Sequence, residues 1–161
     1  MRFYAWKLGV LIVTVILLPG CTEPPPRAKN GVMDLRNWDF ETQGTLSLNG
    51  DWAFYWQELI SPIQFGAGVP APLSGFHTFP GCWNGKKVGE KTLSGMGYAT
   101  FRLTVLLPEK EIPKAIRILN LSSEYRLWIN GNEVAKNGVV GISREASRGQ
   151  YYLQEKGFAH T

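Results

Sequence analysis

The side chains here that could carry chemistry are few and scattered. The histidines are His77 and His160, and the cysteines are Cys21 and Cys82. A metal site needs several such ligands at matched spacing, and these four do not form one. Asp34, Asp39, Glu41 and Asp51 could pair as acid and base, as a glycosidase requires. They crowd into the start of the folded part, and Asp51 is expected in a hairpin turn, so solvated surface carboxylates are the simpler reading. The stretch SGMGY (residues 94–98) lacks the Lys-Ser/Thr of a phosphate loop and leads into a strand. No catalytic residue, cofactor or metal is expected.

Binding is better served. Beyond the first twenty residues the tryptophans are Trp38, Trp52, Trp56, Trp83 and Trp128. Trp52 and Trp56 share the parity of an apolar face and belong in the core. Trp128 shares parity with Arg126, opposite Tyr125, Leu127 and Ile129. Trp83 sits in FPGCWNG (residues 79–85), whose proline and glycines make it a loop. An indole there, beside Asn84, offers an apolar platform with an amide at its rim. Sugars stack C–H faces on such rings while their hydroxyls seek polar groups. The alternative is that Trp83 folds back to plug the end of the domain.

The elements that must position these residues read as β. In LSLNGDWAFYW, Leu46, Leu48, Trp52, Phe54 and Trp56 share one parity, interrupted by Asn49-Gly50. In YATFRLTVLL, Ala99, Phe101, Leu103, Val105 and Leu107 form one face, with Tyr98, Thr100, Arg102 and Thr104 on the other. Such alternation predicts half-buried strands of antiparallel sheets, and AIRILNL and EYRLWI are two more short strands. Asn-Gly, which tolerates the positive φ of tight hairpins, occurs at 30, 49, 84, 130 and 137. The last two bracket a compact strand-turn-strand unit over residues 124–140. Residues 61–74 hold three prolines and read as a long irregular loop. The final stretch, GQYYLQEKGFAHT, can supply at most one more strand. An all-β antiparallel sandwich over residues 32–161 is expected.

The chain's ends set its compartment. MRFYAWK is a basic lead and LGVLIVTVILLPG an apolar run of about a dozen residues, too short for a span of roughly 20. Residues 1–20 therefore read as a signal peptide, and Leu18-Pro19-Gly20-Cys21 resembles the bacterial lipobox, with Cys21 as the lipidated N-terminus. An ordinary signal peptide or an uncleaved anchor is the alternative. Residues 21–31 read as a Pro-rich tether, and Asn120-Leu121-Ser122 as an accidental glycosylation match. Losing Arg2 and Lys7 lowers the formal net charge from +4 to +2, too little for a nucleic-acid footprint.

Taken together, "LSLNGDWAFYW", "FPGCWNG", "GYATFRLTVLLP" and "YRLWINGNEVAKNGVVG" resemble the extracytoplasmic N-terminal domain of bacterial seven-transmembrane receptors with diverse intracellular signalling modules, which include histidine kinases and nucleotide cyclases. More distantly they resemble the sugar-binding jelly-roll domain of family-two glycoside hydrolases. The resemblance covers about residues 32–145. It implies a galactose-binding-like β-sandwich that recognises a carbohydrate or related small ligand without catalysis. It also implies a ligand site at Trp83, Asn84, Tyr98 and Arg102, with Glu124 and Arg126 opening the last hairpin. The chain departs from it in having Cys82 before the loop tryptophan and in stopping at Thr161, where closing strands would follow, so a C-terminally truncated sandwich is expected. The expected function is a non-catalytic sensor domain attached to the membrane. An accessory lobe of a glycoside hydrolase and a structural envelope lipoprotein are the alternatives.

Overall fold

The computed structural model describes residues 24–68, 72–109, 113–118, 121, 123–149 and 154–158. Cys21, the leader and His160 lie outside them. In chain order the strands are β1 (Val32–Asp34), β2 (Gly50–Trp56), β3 (Gly75–Phe79), β4 (Lys87–Val88) and β5 (Lys91–Thr92). They continue as β6 (Ala99–Arg102), β7 (Thr104–Leu106), β8 (Lys114–Ile118), β9 (Tyr125–Ile129), β10 (Asn132–Asn137) and β11 (Gln154–Phe158). One short helix, α1 (Pro62–Gly66), falls between β2 and β3. The chain is all-β. No helix among the described residues is long and apolar enough to cross a membrane.

The strands form a three-stranded sheet ordered β3-β2-β6 and the pairs β1-β7, β9-β10, β8-β11 and β4-β5. The pairings are antiparallel except β1-β7, which is parallel, against the expectation of antiparallel sheets throughout. The cause lies in residues 99–106. The predicted single strand is divided at Leu103: β6 pairs with β2, whereas β7 pairs with β1, and Thr104 N–H donates to Gly31 O at 2.8 Å. The alternation survives the break. Leu103, Val105 and Leu107 pack on Ala28, Met33 and Leu35, whereas Phe101 packs on Phe54 at 5.1 Å.

Ordered structure begins before Val32. Ala28 is 3% exposed, in the stretch expected as a tether. Its N–H donates to Asn49 O and its C=O accepts from Asp51 N–H, at 2.8 and 2.9 Å. Asn30 and Gly31, at φ 49° and 77°, make the tight turn that returns the chain into β1. The same dipeptide at Asn130-Gly131 (φ 49° and 83°) joins β9 to β10, as expected for residues 124–140. Asn49-Gly50 is not a turn: Gly50 opens β2 beside Ala28. Asp51 is likewise a strand residue, and its carboxylate accepts from the Thr78 hydroxyl at 2.9 Å.

The loop expected over residues 61–74 contains α1. Ser61 Oγ accepts from Gln64 N–H while the Gln64 side chain accepts from Ser61 N–H, a reciprocal cap with Pro62 in the first turn. Phe65 then lies edge-on to Tyr55 at 5.3 Å, which is why Tyr55 is buried although its neighbour Phe54 faces the other way. In the stretch expected to hold a last strand, β11 pairs with β8 from Gln154↔Ile118 to Phe158↔Lys114.

Candidate functional site

The β3-β2-β6 sheet gathers the rings. On one face, β2 contributes Trp52, Phe54 and Trp56, β3 His77 and Phe79, and β6 Phe101, as strand alternation requires. Phe54 lies 5.4 Å from His77 and 6.0 Å from Trp56, and Trp52 lies 4.5 Å from Phe79. The loop after β3 folds back so that Trp83 stacks on Phe101 (6.3 Å, 21°) and meets Trp56 edge-on at 5.6 Å. Its ring is half-buried, and its Nε1 is enclosed without a hydrogen-bond partner, as is Trp56 Nε1. Trp83 is therefore packed against Phe101 and Trp56, and the residue as a whole is only partly exposed.

Asn84 is exposed at the rim of that ring. Residues 83–86 form a turn closed by Lys86 N–H to Trp83 O at 2.9 Å, with Gly85 at φ 79°, a position that favours glycine. Two further bonds, Gly85 N–H to Leu93 O and Leu93 N–H to Lys86 O, tie the turn to buried Leu93. One glycine of SGMGY, Gly97, has a packing role that the sequence reading missed. A Cβ on Gly97 would stand 2.1 Å from the Trp56 ring, so this backbone must be bare for the indole to lie against it.

Three of the remaining expected ligand residues, Arg102, Glu124 and Arg126, stand on another face or another sheet. Phe101 points to Trp83, so its neighbour Arg102 points to the opposite face, where its guanidinium lies 4.8 Å above the Phe65 ring. Parity had already separated Arg102 from Phe101, and the site expected to hold both Trp83 and Arg102 is corrected on that ground. Tyr98 is half-buried just before β6, its C=O accepting from Gln57 N–H at 2.9 Å. Glu124 and Arg126 belong to the β9-β10 unit, a different sheet that lies beside β11. Arg126 is held there by both Nε and Nη2 on Glu133 Oε2 and lies 4.9 Å over Trp128.

His77, 6% exposed, sits under this cluster with its Nε2 unpartnered. Burial pushes its pKa below the ordinary histidine value, the Gly81 backbone opposing, with Lys86 and Asp51 as the nearby charges. A depressed pKa means the unfolded chain binds the proton more readily, so stability falls as pH drops below about 6.5. The urea midpoint of the wild type should decrease between pH 7.5 and 5, and that of His77→Gln should decrease less. Parallel curves for the two proteins would assign the acid loss to other groups.

Comparison with protein-family models, with curated proteins and with solved structures returned no match.

Proposed function

We propose that this chain is an extracytoplasmic, non-catalytic carbohydrate-binding domain with a galactose-binding-like sandwich fold. In this reading it acts as the sensor part of a bacterial receptor and is held at the membrane through Cys21. The observation that carries the proposal is the Trp83-Asn84 turn: a half-buried tryptophan, fixed by Phe101 and Trp56, beside the exposed Asn84. A ring already locked by packing loses little freedom when a ligand stacks on it, which favours binding by a small contact area. Asn84 would supply a donor and an acceptor to adjacent hydroxyls.

The test is a glycan array followed by titration of the best binder. Trp83→Ala should weaken binding by about thirty-fold, the effect of losing a hot-spot aromatic worth about 2 kcal/mol. Asn84→Ala, on an exposed turn, should cost several-fold without touching the core. In the same preparation, Cys21→Ser should move the protein out of the membrane fraction. Unchanged affinity in both folded turn variants would place the ligand elsewhere and end this reading.

A further inference from the structure

The turn that carries Trp83 rests on a buried titratable group. His77, at the centre of β3, is 6% exposed, and its Nε2 is enclosed with no hydrogen-bond partner. The chain that leaves β3 doubles back over this ring. A Cβ on Gly81 would stand 3.4 Å from that Nε2 and 2.5 Å from Thr78 O. The Phe54 and Phe101 rings lie 5.4 and 5.7 Å away, and Phe101 is the ring on which Trp83 stacks. We propose that His77 is a pH-sensitive latch for the Trp83 turn. When neutral it lets the turn dock on Phe101, and when protonated it releases the turn while the β3-β2-β6 sheet persists.

Two effects oppose a charge at this place. One is burial under Gly81 and between two aromatic rings, which strips water from the imidazolium. The other is Lys86, the residue that fastens the turn. Its Nζ donates to Phe76 O at 2.8 Å and its N–H to Trp83 O at 2.9 Å, so it ties Trp83 to β3. A cation on His77 is repelled by that ammonium and strains the same fastening. Asp51, on β2, draws the other way, as the Gly81 backbone does, but its carboxylate already accepts from the Thr78 hydroxyl. β6 brings Phe101 to His77 and no charge, since Arg102 lies over Phe65 on the opposite face. Cys82, next to Gly81, is exposed.

Burial and Lys86 prevail, so docking holds the His77 pKa below its ordinary value. With the turn lifted, water reaches the ring and the pKa returns toward about 6.5. The lifted state therefore binds the proton more readily, and falling pH favours it. The sheet is held by other residues: the β2-β3 ladder runs from Gly50↔Phe79 to Phe54↔Gly75, and β2-β6 from Ala53↔Arg102 to Trp56↔Ala99. Acid would thus withdraw the indole from its place before the domain unfolds. Only that consequence for a ligand rests on the reading of Trp83 as a sugar platform; the latch itself does not.

The experiment follows the folded full chain by NMR from pH 7.5 to 5, through the Trp83 indole N–H, assigned with Trp83→Phe, and the His77 ring protons. The indole signal should move with the midpoint of the His77 titration, and that midpoint should lie below about 6.5. At pH 5.5 the Lys86 amide, which donates to Trp83 O, should exchange at least about threefold faster than in His77→Gln, within the tenfold per pH unit that one linked proton allows. The amides of β2 should exchange equally in the two proteins. If His77→Gln does not fold, His77→Phe replaces it, and the comparison of midpoints in the wild type needs no variant. An indole signal that stays in place through the His77 titration would overturn the proposal. So would the same movement in the variant, or β2 amides that lose protection together with Lys86. None of these outcomes touches the glycan reading, which is decided by affinity at pH 7.5.

Discussion

Replacing Phe54 by alanine should cost about 3–5 kcal/mol, the usual range for a fully buried phenylalanine. Phe54 is 0% exposed and touches three other rings, Phe101, His77 and Trp56. It pairs with Gly75 on one side and Phe101 on the other, so it is in register with both β3 and β6, as Ala53 is on the opposite face. Truncation removes apolar area from the core and leaves a void that stiff aromatic neighbours cannot close. A domain of this size has about 5–15 kcal/mol to lose, so the variant should lose a substantial share of its stability. Urea unfolding at pH 7.5 is the measurement, with Phe54→Leu expected to lose clearly less. A deficit below about 1 kcal/mol would mean that this ring cluster is not the core it is taken to be.

Gly50→Ala should be comparably severe for a different reason. At φ 128° an L-residue is strained, commonly by about 1–3 kcal/mol. The new Cβ would also stand 2.3 Å from Ala28 O and 2.5 Å from Ala28 N, which are backbone atoms and cannot swing aside. Relief requires Ala28 to leave, breaking its bonds to Asn49 and Asp51 and uncovering Met33 and Leu35. The loss should be on the order of 3 kcal/mol or more, combining strain and overpacking. It should also be local at first: the Asp51 amide, protected by Ala28 O in the wild type, should exchange faster. Gly66→Ala, with nothing within 4 Å of its Cβ and no positive φ, is the control and should be close to neutral. Equal exchange of Asp51 in wild type and Gly50→Ala would show that the Ala28 contact is not maintained in solution.

Much of the β character was legible because it is a local, period-two property. The faces of residues 99–107 and the β9-β10 unit follow from which neighbours are apolar and where Asn-Gly stands. The cap of α1 was also present, as Ser61-Pro62 with Gln64, but three prolines between residues 61 and 74 obscured it. Parity separated Arg102 from Phe101, but which of the two faces Trp83 would cover was not local information.

By itself, then, the amino-acid order determined which stretches extend, which parity is apolar and where the tightest turns fall, because those depend on backbone sterics and on neighbours one or two residues away. Only the tertiary structure decided that Asn49-Gly50 is a point of close approach rather than a turn, that residues 99–106 serve two sheets, and that Trp83 folds onto Phe101. It alone also brought the Trp38 turn against Pro108 and Lys114. Each of these depends on a partner tens of residues away in the chain, and the local pattern of apolar and polar residues does not say which partner will arrive.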